Sequence, residues 1–154
     1  MTYLTFIAFF LAFMSSSAVF AKEPNRCLSK AYTQMEMNRC AGVGLEEADV
    51  QLNRVYKKIK TVYSEDKVFL GKLKSAQLAW ITSRDADFDL QYPHKEEPRY
   101  YGSVFPMCAA DHKVQLTLKR VAFLKQWLVG TEEGDVCSGS QMTQWQLTER
   151  LKTQ

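Results

Sequence analysis

From Leu45 to Tyr63 the apolar residues Leu45, Ala48, Leu52, Val55, Tyr56, Ile59, Val62 and Tyr63 return at steps of three and four. A strand would need them at every second position, so this spacing predicts one amphipathic helix with a single broad buried stripe. Lys57, Lys58 and Lys60 fall mostly off the stripe and are expected in water. A second helix is predicted from about Asp66 to Leu90, burying Phe69, Leu70, Leu73, Ala76, Trp80, Ile81 and Phe88, with Gly71 a tolerated weak point. A third starts near Pro106, because proline suits the first helical turn. It runs through Val114, Leu118, Val121, Ala122 and Leu128, and a neighbouring stripe of Leu116, Phe123 and Trp127 predicts contacts with two partners. A short last helix covers Met142, Trp145 and Leu151. No strand-like alternation competes and no internal repeat is visible. The fold class is therefore all-α: a compact bundle of three main helices plus a short C-terminal one.

The entry to the first helix is marked by Thr33 and Glu36, which fit the S/T-x-x-E capping box. Cys40 then lies two turns in, ahead of Gly42-Val43-Gly44, where low helix propensity predicts either a bend or two separate helices. Three prolines and a glycine break regular structure across Gln91–Pro106, and Gly130, Gly134 and Gly139 punctuate the segment after the third helix. Met35 and Met37 are read as gap-fillers in the packing.

No charged side chain precedes Lys22, and the apolar run Leu4–Met14 is too short to span a bilayer as a helix. Serines and the small-residue site Val19-Phe20-Ala21 follow, the layout of a secretory signal peptide, although its start lacks the usual lysine or arginine. The reading is a signal peptide over 1–21 and a single helical domain over 22–154, periplasmic or secreted, with no membrane contact after cleavage. A retained amphipathic anchor is the alternative, but a stretch without polar residues makes a poor interfacial helix. Cys27 follows Pro-Asn-Arg, which is no lipidation signal. A net charge of +3 without a like-charged block is too mild to imply nucleic acid.

In an oxidising compartment Cys27, Cys40, Cys108 and Cys137 read as two disulfides. No C-x-x-C occurs, which weakens the zinc and redox-enzyme readings. Of the three connectivities, local pairing is favoured. Cys27 and Cys40 in one straight helix would stand roughly 20 Å apart, beyond the roughly 7 Å a bridge tolerates. A helix that begins only at Thr33 lets the preceding residues fold back, and so small a loop stabilises by roughly 3 kcal/mol on the chain-entropy model. Cys108 would then tether Cys137.

Cys27, "TQMEMNRCA" (Thr33–Ala41), "EADVQLNRVY" (Glu47–Tyr56), "LKSAQLAWITSRDAD" (Leu73–Asp87), "GSVFPM" (Gly102–Met107) and "LTLKR" (Leu116–Arg120) follow one another in order. This set resembles the LprI-like lysozyme-inhibitor family across most of the chain. The resemblance implies an exported helical protein that inhibits lysozyme, a muramidase that cuts peptidoglycan. Two departures stand out. The family commonly carries a bridge between a cysteine near Phe88 and one near His112; both are absent here, and Cys108 with Cys137 would replace it. The namesake is also a lipoprotein, and this chain lacks the acylation site.

Arg84 shares a face with Trp80 and Phe88, so its guanidinium needs a buried partner. Asp49 is the first candidate and Glu36 the second, with Asn53 and Gln77 completing a polar clamp between helices. An acid/base pair would need a cleft with unequal pKa values, which nothing in the sequence indicates. His94 and His112 lack ligand-like spacing to the cysteines, and no G-x-S-x-G elbow presents a serine. No catalytic residue, metal or cofactor is predicted. The binding candidate is the stiff loop with Tyr92, His94, Glu96, Glu97, Arg99, Tyr100, Tyr101 and Phe105, since tyrosine and arginine are favoured interface anchors. The competing reading has these rings seal the end of the bundle. The expected partner is a cell-wall hydrolase, lysozyme first. Alternatives are an immunity protein against a peptidoglycan amidase and a structural envelope module. No sequence signal bears on oligomeric state.

Overall fold

The computed structural model describes residues 27–152. The expected signal peptide, 1–21, lies outside the described residues. A 3-10 turn, Leu28–Lys30, leads into α1 (Gln34–Val62), α2 (Lys67–Gln91), α3 (Phe105–Val129) and α4 (Gln144–Lys152).

α1 starts where the capping box places it. The Thr33 hydroxyl accepts from the Glu36 N–H at 3.2 Å, and the Glu36 carboxylate accepts from the backbone N–H groups of Thr33 and Tyr32 at 3.0 and 2.9 Å. These donors hold the Glu36 carboxyl below its ordinary 4.5, the Tyr32 N–H contributing most. The helix continues unbroken through Gly42-Val43-Gly44. Each glycine weakens a helix by about 1 kcal/mol, but Cys40 and Ala41 on one side and Ala48 on the other are buried, so tertiary packing outweighs the local preference. Further along, Leu52, Val55, Ile59, Val62 and Tyr63 form the core edge of the predicted stripe. Met35 is 78% exposed, so it fills no gap in the packing.

α1 and α3 lie side by side in the same direction. Asn38 Nδ2 at the start of α1 donates to the Ser103 carbonyl just before α3, and the Tyr63 hydroxyl at the end of α1 donates to the Trp127 carbonyl near the end of α3. α2 makes the return journey, capped by Asp66, whose carboxylate accepts from the Phe69 N–H at 2.8 Å. Its burial is concentrated at the two ends, at Phe69 and Leu73 and again at Phe88. Ala76, expected inside, is exposed. Between the ends α2 is held by Trp80, over which the guanidinium groups of Arg84 and Arg120 lie at 5.3 and 5.7 Å. α3 buries Ala110, Val114, Thr117, Val121 and Leu124, one continuous line at steps of four, three, four and three. Of the neighbouring stripe, Leu116 and Trp127 are half-buried, Trp127 packing beside Phe69 of α2. So α3 meets both α1 and α2, while Ala122 and Phe123 are exposed. Thr117, fully buried, hides the true line because its hydroxyl makes it read as polar.

After α3 the chain turns at Gly130, whose φ of +80° suits glycine. A Cβ there would meet Leu147 Cδ1 at 2.8 Å, so the missing side chain also admits α4. Leu147 docks α4 on the core, while Trp145 and Leu151 stay exposed.

The Cys27–Cys40 bridge is present, with Cα atoms 5.4 Å apart. The second expected bridge is not formed: Cys108 and Cys137 are both free. Cys108 sits in the first turn of α3, and α3 carries the chain roughly 30 Å away from it before the turn at Gly130. The residues from Gly130 to Cys137 reach about 28 Å even fully extended. They are also tied to the far end, where Trp127 Nε1 donates to the Ser140 hydroxyl at 3.1 Å. The two places where the resemblance implied a bridge do face each other, since the Phe88 and His112 rings lie 6.2 Å apart. This chain fills that contact with rings instead of sulfur.

Candidate functional site

Two surface features meet at the end of the bundle where α1 and α3 begin. One is a groove of about 950 Å³ between these helices. Its apolar walls include Ala41, Ala48, Val114 and Leu118, while Glu47 and Gln51 from α1 and Asp111 and Gln115 from α3 supply polar groups. Each polar pair is spaced four apart, so each stands on one helix face. The free Cys108, the bridged Cys27 and Met107 also line it, and Tyr92 and His112 separate it from the loop. Nε2 of His112 is shielded from solvent and has no hydrogen-bond partner among the described residues.

The other feature is the loop from Tyr92 to Val104. Tyr92 is its hub, with ring centroids 5.2 Å from Phe88, 5.4 Å from Tyr101, 5.2 Å from Phe105 and 6.0 Å from His112. Burial, followed by the nearby Cys108 and Asp111, raises the Tyr92 phenol above its ordinary value. Tyr101 stacks on Phe105 at 5.1 Å, and its hydroxyl accepts from the His94 N–H at 3.1 Å. These rings close the end of the bundle.

The remaining loop residues face out. Tyr100 is 56% exposed and stacks on His94 at 4.4 Å. His94 Nδ1 lies 2.6 Å from the Glu97 carboxylate. Arg99 is exposed with φ +64°, a conformation that strains a side chain bearing a Cβ. Glu96 projects into solvent. Lys95 pairs with Asp89 at 2.7 Å and lies over Phe88 at 5.6 Å, fastening the loop to α2. That hydrogen bond, strengthened by the Asp89 charge, raises the Lys95 ammonium above its ordinary value. The predicted binding residues therefore divide: Tyr92, Tyr101 and Phe105 pack, whereas His94, Glu96, Glu97, Arg99 and Tyr100 form the surface.

The expected clamp is rearranged. Arg84 donates through Nε and Nη2 to its neighbour Asp85, at 2.9 and 2.8 Å, and not to Asp49. Asn53 is exposed and Glu36 is engaged at the helix cap. Arg120 supplies a polar link between α2 and α3: its Nε donates to the Gln77 Oε1 at 3.0 Å while its guanidinium lies 5.2 Å over Phe123. Burial lowers the Arg120 pKa. Arg84 does not use a distant carboxylate from a facing helix. An adjacent carboxylate and the Trp80 ring satisfy it at less conformational cost. Among the described residues no cluster of three or more His, Cys, Asp or Glu is arranged to hold a metal ion.

The fold and these surfaces define a small helical protein, tied by one disulfide, that presents an outward aromatic loop beside a carboxylate-bearing groove. The chain belongs to the lysozyme inhibitor LprI family, whose profile matches residues 26–124. That span covers the bridge, α1, α2, the loop and most of α3; Cys137 and α4 fall beyond it. An uncharacterized protein of Rhizobium meliloti is 33% identical over 123 residues, 73% of this chain and 86% of that one. No solved structure matches the chain significantly.

Proposed function

We propose that this chain is an exported inhibitor that binds a cell-wall hydrolase, most simply lysozyme, and blocks its substrate cleft without chemistry of its own. Membership of an inhibitor family carries the reading. The loop supports it physically: Tyr100, His94 and Arg99 project outward from a base fixed by the Tyr92 ring cluster and the Lys95–Asp89 pair. A loop already ordered loses less entropy when it binds, so its aromatic and cationic groups deliver more of their contact energy as affinity. Export is proposed from the uncharged stretch at 1–21, and the Cys27–Cys40 bridge suits an oxidising compartment. Among the described residues no helix is long and apolar enough to cross a membrane.

Titrating the purified oxidised protein into cell-wall clearing assays with several lysozymes and one peptidoglycan amidase tests the proposal. Dose-dependent lysozyme inhibition at constant substrate is the expected result. Inhibition of the amidase alone would move the target to an immunity role, and a folded protein that slows none of them would remove the inhibitor reading.

A further inference from the structure

The outward loop carries one backbone irregularity. Arg99 has φ +64°, and among the described residues it is the one residue other than glycine with a positive φ. The Tyr100 N–H donates to the Glu97 carbonyl at 3.2 Å, closing a turn with Pro98 second and Arg99 third. Proline followed by a positive φ is the type II pattern, whose third place ordinarily goes to glycine or asparagine. An arginine there holds a strained backbone. Its carbonyl accepts from the Gly102 N–H at 3.0 Å, and the turns Tyr92–Lys95 and His94–Glu97 close at 3.2 and 3.0 Å. The strain is thus held by a loop fixed on both sides.

The side chain on that backbone is the loop's uncommitted cation. Lys95 pairs with Asp89 at 2.7 Å and reaches Glu96 at 3.6 Å, and His94 lies 2.6 Å from Glu97. Arg99 is exposed, and its side chain makes no ion pair, ring contact or hydrogen bond among the described residues. We propose that Arg99 enters the substrate cleft of the blocked hydrolase and donates to the carboxylates that cut the glycosidic bond. The inference rests on the inhibitor reading and adds to it the residue and the chemistry of the blockage.

Glycoside hydrolysis supplies the complement. Such enzymes hold a pair of Asp or Glu carboxyl groups across the scissile bond, about 5–5.5 Å apart in the retaining class. A guanidinium offers five N–H donors in one plane, so it can serve both members of the pair at once. A lysine ammonium is a point charge without that planar fork. Between the low-dielectric walls of a cleft the pairing is stronger than in open water. The contact also accounts for how a chain at +3 meets a basic partner. Net charge gives no steering, whereas the cleft is where the hydrolase must keep its carboxylates. Tyr100, exposed and stacked on His94, stands beside the cation as an aromatic flank.

Replacing Arg99 separates binding from strain, because the two respond in opposite directions. R99G and R99N suit the positive φ, so their melting temperatures should equal the parent's or exceed it by up to about 4 °C. Their inhibition of c-type lysozyme in the clearing assay should nonetheless be about 10–100-fold weaker, with R99K in between. Calorimetry against the same lysozyme with both cleft carboxylates changed to amides gives a second reading. The parent should lose most of its affinity for that enzyme, whereas R99G should bind the two lysozymes alike. If the parent inhibits lysozyme and R99G inhibits equally well, the arginine proposal is overturned and the inhibitor reading stands. Undiminished binding of the parent to the amide-substituted enzyme has the same consequence. A lower melting temperature in both R99G and R99N would make Arg99 a structural residue of the loop and likewise overturn the proposal. A folded parent that inhibits no lysozyme overturns both readings.

Discussion

The Tyr63 hydroxyl donates to the Trp127 carbonyl at 3.2 Å and accepts from the Met142 N–H at 3.0 Å, so one oxygen ties α1 to the end of α3 and to the segment before α4. Its ring packs on Phe69 at 4.5 Å. Y63F keeps the ring and strands both backbone groups, so a loss of about 1–3 kcal/mol is expected in urea denaturation. Burial raises the Tyr63 phenol above its ordinary 10.0. A raised folded-state value means the stabilisation is complete below pH 10 and is lost as pH climbs through the higher value. Stability measured across that alkaline window should therefore fall more gently in Y63F than in the parent, and parallel curves would contradict the assignment.

The start of α1 and the loop before α3 behave differently as elements. T33A removes the hydroxyl that caps α1 and should cost about 1 kcal/mol. The Glu36 carboxyl is held below its ordinary 4.5, so its contribution is present above that pH and fades as pH falls through the lower folded value. Amide exchange in the first turn of α1 should accordingly rise in acid before the core opens. In the loop, sequence could not rank Tyr100 against Tyr101, because the two are adjacent and alike. Their partners do: Tyr101 packs against both Tyr92 and Phe105, whereas the exposed Tyr100 stacks on the exposed His94 and meets Tyr101 only edge-on. Y101A should destabilise by about 1–3 kcal/mol, less than a fully buried aromatic. Y100A should stay within about 0.5 kcal/mol of the parent in stability while weakening lysozyme inhibition. Equal melting temperatures for both variants would place Tyr101 outside the seal.

At the scale of the molecule, one covalent tie sits at one end of the bundle and a hydrogen-bonded strap at the other. Reducing Cys27–Cys40 should lower stability by about 3 kcal/mol on the chain-entropy model. Exchange should rise at Thr33–Ala41, while amides around Ile59 and Leu124, both at the centre of the core, keep their protection until global unfolding. A thiol assay on the native oxidised protein should find the free thiols of Cys108 and Cys137, and none would mean a second bridge after all. These two cysteines lie at opposite ends of α3, so any such bridge would join different molecules or require α3 to unravel.

The helical class, the capping box and the buried face of α1 were legible in the sequence, because each depends on residues near one another in the chain and on a fixed helical repeat; the Cys27–Cys40 pairing was favoured there among three connectivities and is formed in the structure. The family motifs were legible for the same reason. Only the tertiary structure decided that Cys108 and Cys137 stay apart, that Arg120 with Gln77 links α2 to α3, and that Tyr101 packs while Tyr100 faces out. It also created the groove, because its walls from α1 and α3 meet only when the two helices run side by side in the same direction. The spacing of apolar residues fixes which face of a helix is buried. Which helix it meets, and in what register, is decided by the sum of many weak packing contacts between distant segments.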